Sequence, residues 1–379
     1  MASRIAGDHG TDTAGFLVHG IKAPEASTTK YKSFHDLFNG LEGLMIPPIP
    51  YGRITPWAGT AATKTAPSGP VGKNKSMEAV DTAISDADSS DDAGTVEASG
   101  DPTLGQVLLA VEELWPESLA EDWDEVGLVV GRPTTPITRI LFAVDPTLAV
   151  IDEAIEWGAG LLITHHPLLL KGVNSVAATS AKGLAVHRLI EAGTGLLTVH
   201  TNGDSAVGGV SDVLADAFGL ENVAPLTPAA NGLPEEGIGR VGDLPELMTL
   251  GDFAARVFGM LPAVAGGVRV AGDKDGLLRR VAVCGGAGDS LFDAVRASNA
   301  DVYVTADMRH HPASEAREGA VNGRPYLIDV SHFASEWLWL PVAAEALGNV
   351  LADQGYDVEI RVSSTNSDPW DFILTPGGD

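Results

Sequence analysis

The chain has 379 residues, 44% of them hydrophobic, and a mean hydropathy of +0.10, so it can build two or three domains with sizeable cores. Lys+Arg number 24 against 51 Asp+Glu, a net charge of −27 and a pI near 4.5; this repels nucleic-acid backbone and excludes general DNA or RNA binding. A single cysteine, Cys284, excludes an internal disulfide framework and a cysteine metal cage. With no basic-then-apolar leader and no apolar run of membrane-span length, the expected location is cytoplasmic, with no membrane partner.

Residues 1–101 show little periodicity. Ile46-Pro47-Pro48-Ile49-Pro50 and Ala66-Pro67-Ser68-Gly69-Pro70 interrupt any helix or strand, and the acidic, Ser/Ala-rich run from Asp81 to Asp101 follows. Such composition cannot bury enough apolar area to offset its ordering entropy. The expectation is a disordered extension, dispensable for the fold, with Met77 as an alternative start of translation.

From Pro102 the pattern is regular. Thr103 is placed to cap an amphipathic helix over Leu104 to Leu114, with Leu104, Val107, Leu108, Val111 and Leu114 on one face. A strand is expected at 140–144, a helix at 150–157, a buried strand at 161–163, a helix at 181–192, a strand at 196–199 and a helix at 250–261. Alternating apolar strands and helices predict α/β architecture with mostly parallel sheets. The chain also repeats itself. Ile140-Leu141-Phe142-Ala143-Val144 matches Val281-Ala282-Val283-Cys284-Gly285, and Ala159 to Thr164 matches Ala300 to Thr305, both at an offset of 141 positions. The expected organisation is a first α/β lobe over 102–226, a connecting segment over 227–273 and a related second lobe over 274–379.

Chemistry concentrates where strands end. His165 and His166 follow the apolar run Leu161-Leu162-Ile163. Neighbouring residues of an extended chain point in different directions, so one imidazole should face packed protein, a poor place for an unpaired ring nitrogen. Metal coordination resolves this, because neutral imidazole is a good ligand. His200-Thr201-Asn202-Gly203-Asp204 follows another apolar run, and His332 and Glu336 are four residues apart, on one face of a helix start. Each has a plainer reading: Asp204 opens a turn, and polar pairs at that spacing are common on helices. Their joint occurrence favours a His/Asp/Glu metal site. Asp307 and His311 are candidate acid–base or metal-supporting groups, or simply a polar helix start. Gly285-Gly286-Ala287-Gly288 is either an anion cradle or a tight turn, and no phosphate-binding Lys-Ser/Thr motif accompanies it.

The motif series, in unbroken order from Pro102 to Pro376, resembles a known family. It comprises Trp123-Asp124-Glu125-Val126-Gly127-Leu128, Thr164-His165-His166-Pro167-Leu168, His200-Thr201-Asn202-Gly203-Asp204, Gly237-Ile238-Gly239-Arg240-Val241-Gly242, Cys284-Gly285-Gly286-Ala287-Gly288, Asp301 to Asp307, and Asp329-Val330-Ser331-His332-Phe333-Ala334-Ser335-Glu336. It is similar to the GTP cyclohydrolase 1 type 2 homologues, also called NIF-three-like proteins. The resemblance implies two α/β lobes in a homohexameric toroid. It also implies a dinuclear centre of two divalent ions (zinc, iron, manganese or nickel) held by His165, His166, Asp204, His332 and Glu336. The chain departs from the family pattern at Glu125, where Asn is usual, and at Ala306 and Ser331, where Gly is usual. The implied function is metal-dependent hydrolysis of a small molecule such as GTP; the alternative is a non-catalytic metal-binding, metal-delivery or regulatory scaffold protein.

Overall fold

The computed structural model describes residues 100–230 and 232–374; the Pro-rich and acidic stretches and Met77 lie outside the described residues. Helix α1 (Leu104–Leu114) begins as its sequence predicts. The Thr103 hydroxyl accepts from the Gln106 N–H, and the Gln106 side chain accepts from the Thr103 N–H at 2.8 Å, so two otherwise orphaned donors are satisfied reciprocally.

Strands β1 (Gly127–Val130), β2 (Arg139–Ala143), β3 (Leu161–Thr164) and β4 (Gly195–Thr198) form most of a first sheet. Strands β5 (Glu221–Pro228), β6 (Gly237–Thr249), β7 (Arg269–Ala271), β8 (Leu277–Ala287), β9 (Val302–Ala306) and β10 (Tyr326–Val330) form the second. A last strand, β11 (Glu359–Val362), returns to the first sheet and pairs in parallel with β2. The orders are β1-β4-β3-β2-β11 and β5-β6-β8-β9-β10-β7. The sequence repeat is therefore a repeat of topology. The parallel trio β2-β3-β4 corresponds to β8-β9-β10, and each trio carries a short antiparallel edge strand, β1 on β4 and β7 on β10.

Three expectations need correction. The first sheet is mostly parallel as expected, but the second is mixed, because β5, β6 and β7 all pair antiparallel. The 227–273 stretch is not merely a connection: β6, most of its first half, is a strand of the second sheet. The glycines Gly237, Gly239 and Gly242, together with Asp243 and Pro245, hid its alternation, and its register shifts between Asp243 and Met248. The last residues do not all belong with the second sheet, since Glu359–Val362 completes the first.

Side-chain alternation shows why two sheets pack as one body. Ile140, Phe142, Leu161, Ile163, Leu197 and Val199 face a shared core with Val281, Val283, Val302, Val304 and Ile328 of the second sheet. The same core takes α1, α5 (Val210–Ala217), α6 (Leu250–Met260) and α10 (Trp339–Asp353). The intervening residues Leu141, Leu162 and Leu196 pack under α2 (Leu148–Trp157) and α3 (Ala181–Ala192). On the far side, Ala282, Cys284, Tyr303 and Leu327 pack under α7 (Phe292–Ala297) and α8 (His310–Glu318). Each fully buried Leu, Val, Ile or Phe contributes about 1.5–3 kcal/mol, so the shared core is the main force holding the sheets together. Among the described residues, no helix is long and apolar enough to cross a membrane.

Arg240 on β6 is the largest charged side chain in this interior, at 1% relative exposure. Its guanidinium donates to the Gly237 and Gly239 carbonyls at 2.6 and 2.8 Å, and through two nitrogens to Asp212 of α5. It thus holds β6 to α5. Arg240→Met is expected to lower the unfolding free energy by about 3 kcal/mol, because buried acceptors lose their donor. Asp212→Asn should cost less, since the Asp212 side chain keeps some contact with water. Urea-unfolding midpoints of the two variants check the order.

Candidate metal centre

The carboxyl ends of β3, β4, β8, β9 and β10 open on one cleft, where ligands gather in α/β sheets. His165 and His166 follow β3, and their N–H groups extend the ladder to the Ala143 and Val144 carbonyls. Asp204 lies on α4 (Thr201–Ser205), after β4. His332 and Glu336 lie on α9 (His332–Trp337), after β10. Ser331, one of the departures from the family pattern, is the cap of α9: its hydroxyl accepts from the Ala334 N–H at 3.2 Å.

The rings are fixed from behind. His165 Nδ1 donates to the Val199 carbonyl at 2.9 Å, His166 Nδ1 to Asp145 at 2.7 Å, and His332 Nδ1 to Asp307 at 2.7 Å. A carbonyl or carboxylate oxygen only accepts, so each Nδ1 carries a hydrogen, and each Nε2 presents a lone pair once it gives up its proton. Those lone pairs converge. His166 Nε2 lies 3.1 Å from His332 Nε2 and 3.1 Å from Glu336 Oε2; His332 Nε2 is 2.9 Å from Glu336 Oε1. His165 Nε2 is 3.5 Å from Glu336 Oε1 and 3.8 Å from Asp204 Oδ1. His165 Nε2 and Glu336 Oε2 are buried without a hydrogen-bond partner.

Electrostatics follow from that crowding. Burial pushes the Glu336 carboxyl up, but the rings of His166, His332 and His165 hold it well below the usual carboxylate range. Burial pulls His332 down, yet Glu336 and Asp307 outweigh it and raise the ring to about 10. His166 is raised well above its ordinary value, against its burial, by Glu336 and Asp145; His165 is raised by Glu336 and Asp204. Positive charge at this point, whether protons or a metal ion, is what the carboxylates demand.

The residues present fit a metal. The donors are nitrogen and oxygen only, which suits zinc, iron, manganese or nickel. Two overlapping groups have ligand atoms within 4.8 Å of one another: His165, His166 and His200; and His166, His332 and Glu336. Gly286 makes the space. It has φ +64, and a Cβ there would collide with Glu336 Oε1 and stand 3.2 Å from His332 Nε2. The Gly285 and Gly286 N–H groups are not available to cradle an anion, since they already donate to Ser211 and Ser335 hydroxyls.

The five ligand candidates read from the sequence are brought together here. Asp307 is near but serves His332 from behind, on a left-handed residue (φ 52) that Asp tolerates better than most. Its carboxyl is held low by the His332 hydrogen bond, against its partial burial. His311 is not brought to the cleft; it sits exposed on α8 beside His310. The His200 motif was singled out from the sequence, but His200 itself was not among the ligand candidates; its Nδ1 donates to Asp124 at 2.8 Å while its ring stands 5.2 Å from that of His165. Sequence reasoning missed the ring-supporting roles of Asp124 and Asp145. His200 had a signal, since it follows an apolar strand as His165 does; a carboxylate acting across 76 positions had none.

The Duf34/NIF3 (NGG1p interacting factor 3) profile matches residues 102–369. A Streptomyces coelicolor protein named GTP cyclohydrolase 1 type 2 homolog is 48% identical over 271 residues, covering 71% of this chain and 94% of the relative. A Mycobacterium tuberculosis protein of the same name is 35% identical, covering 73% of this chain and 98% of the relative. Among solved structures, a Bacillus cereus protein related to NIF3 superposes with a TM-score of 0.67 at 25% identity, over 73% of this chain and all of the other. Reduced HcgD from Methanocaldococcus jannaschii superposes with a TM-score of 0.56 at 27% identity, over 69% of this chain and 97% of the other.

Cys284 borders the cleft, 6% exposed, and burial together with the carboxylates of Asp204 and Glu336 pushes its thiol up to about 12. The thiolate is the reactive form. Iodoacetamide at pH 8 is therefore expected to alkylate Cys284 at least about a hundredfold more slowly in the native protein than after unfolding in urea, as intact-mass kinetics would show.

Proposed function

This chain belongs to the Duf34/NIF3 family, and on that premise we propose that its histidine–carboxylate cluster is a two-metal centre that hydrolyses a small molecule. The observation that carries this reading is the convergence of lone pairs: three Nε2 atoms and the Glu336 carboxylate crowd one point, each ring turned by a partner on its far nitrogen. Stripped of protons such a set repels itself, and divalent cations make it attractive. His165, His166, Asp204, His332 and Glu336 would hold the ions, with His200 beside His165. A bound metal pair supplies Lewis-acid polarisation of a substrate oxygen and a water acidified to near neutrality.

The chain's own residues do the rest. Asp145 and Asp307 fix the His166 and His332 rings in the tautomer that offers Nε2 to the cleft. Asp124 does so for His200 and also takes the Thr201 N–H, which ties α4 and hence Asp204 in place. Glu336, 3% exposed, keeps its charge where water cannot screen it.

The test is metal content and turnover together. His166→Ala and Glu336→Gln should each lose at least one equivalent of metal, by elemental analysis, while circular dichroism stays native. Metal uptake by the stripped protein at pH 7 should release protons, because His165, His166 and His332 are raised above their ordinary values and must give up protons to coordinate. Affinity should accordingly rise with pH. Calorimetry in buffers of different ionisation heat reads both. Unchanged metal in the variants rejects the centre. The name carried by the relatives makes GTP the first compound to assay; metal bound and released without turnover of any compound would mark a metal-binding protein without catalysis.

The assembly belongs to the same proposal: six copies of the 39.2 kDa chain closing into a toroid around these sites. Light scattering should give about six times the chain mass. The ring should hold better at moderate than at very low salt, since −27 per chain is screened over about 10 Å at 0.1 M.

A further inference from the structure

The cleft over the converging nitrogens encloses about 1190 Å³, room for a small organic ligand and not only for ions. Its wall is one-sided in charge. Besides Asp204 and Glu336 it carries Glu121, Asp145, Asp307, Asp329 and Asp368, and no lysine. Arg269 is its one guanidinium, and both its Nε, at 2.8 Å, and its Nη2 donate to a single oxygen of Asp329. Seven carboxylates against one arginine leave the wall net negative even after two divalent cations are added. The Gly285 and Gly286 N–H groups are not free to hold a phosphate, since they already donate to hydroxyls.

The rim has a different character. Trp123 and Trp370 are the two strongly exposed tryptophans among the described residues, at 59% and 70%, and both stand in this wall, with exposed Phe372 just after Trp370 in sequence. Trp123 is edge-on to His200, 5.9 Å between centroids, so its indole borders the rings of the cluster. An exposed indole offers a planar ligand a face to stack on, and stacking is indifferent to the sign of a charge carried elsewhere. Carboxylates nearby accept from ring amino and imino N–H groups and repel phosphate oxygens.

From these two observations we infer that the site takes an uncharged or cationic planar heterocycle and discriminates against its phosphorylated forms. The inference rests on the two-metal reading for the position of the reacting atom. It deepens that reading by substrate class: a free base or nucleoside, and not a nucleoside triphosphate.

Guanosine and GTP share a ring and differ in charge, which makes them the probes. Equilibrium dialysis of the full-length, manganese-loaded protein should show guanosine binding at least about tenfold more tightly than GTP at low ionic strength, with the gap closing as salt rises. Trp123→Ala and Trp370→Ala should each weaken guanosine about fivefold or more. Glu121→Gln, which removes a wall charge not bonded to any histidine, should strengthen GTP and so narrow its gap to guanosine. Metal content is measured in every sample, so loss of the ions is not mistaken for loss of the ligand. Guanosine bound without turnover supports the inference and counts against hydrolysis alone. GTP as tight as guanosine, no guanosine binding, or guanosine binding indifferent to both tryptophans overturns it.

Discussion

The structure is organised around one buried carboxylate. Glu336 is 3% exposed and faces imidazoles from the ends of both sheets, His165 and His166 from one and His332 from its own helix. A buried charge costs several kcal/mol unless it is compensated at close range. That requirement sets the placement of everything near it. The shared core brings the carboxyl ends of both sheets to one cleft; Gly286 lets β8 approach without a side chain; Ser331 starts α9 where His332 and Glu336 share a face. Around this, three aspartates and a carbonyl fix which nitrogen of each ring points inward.

The same logic explains what the sequence disclosed and what it withheld. Adjacent histidines at the end of a short apolar strand are legible, because period-two geometry leaves one of them facing packed protein. The repeat was legible too, since Ile140–Val144 and Val281–Gly285 do the same work in equivalent strands. Strand β6 was not, because its glycines serve Arg240 and the close packing of β5, and a strand that alternates glycine with charge looks like a linker. Asp124 and Asp145 could not be picked out, because nothing local distinguishes an aspartate that supports a ring far away in sequence from one that faces water. His311 misled for the converse reason. It follows a strand end closely, but α8 turns it outward, and Asp307, at the left-handed position just past β9, takes the place beside His332.

The C-terminal segment ties these themes together. After β11, Ser363 and Thr365 donate to Glu153 on α2, Ser367 donates to Asp145, and Ser331 donates to Asp368. A chain of hydroxyl–carboxylate bonds thus runs from α2 on the outer face of the first sheet, past the aspartate that orients His166, to the cap of the helix carrying His332. The positions of the two imidazoles are set jointly, although their strands lie in different sheets.

The return of β11 also has a consequence for biosynthesis. Ile360 pairs with Ile140 and Val362 with Phe142, so the edge of the first sheet is closed by residues that leave the ribosome more than two hundred positions after the strand they cover. Until then β2 presents an unpaired edge of mostly apolar residues, the kind of edge that recruits other chains. Closing so long a loop is slow compared with local helix formation. The nascent first sheet is therefore a window of vulnerability to aggregation, and its completion coincides with the arrival of the segment that holds Asp145, the aspartate that orients His166.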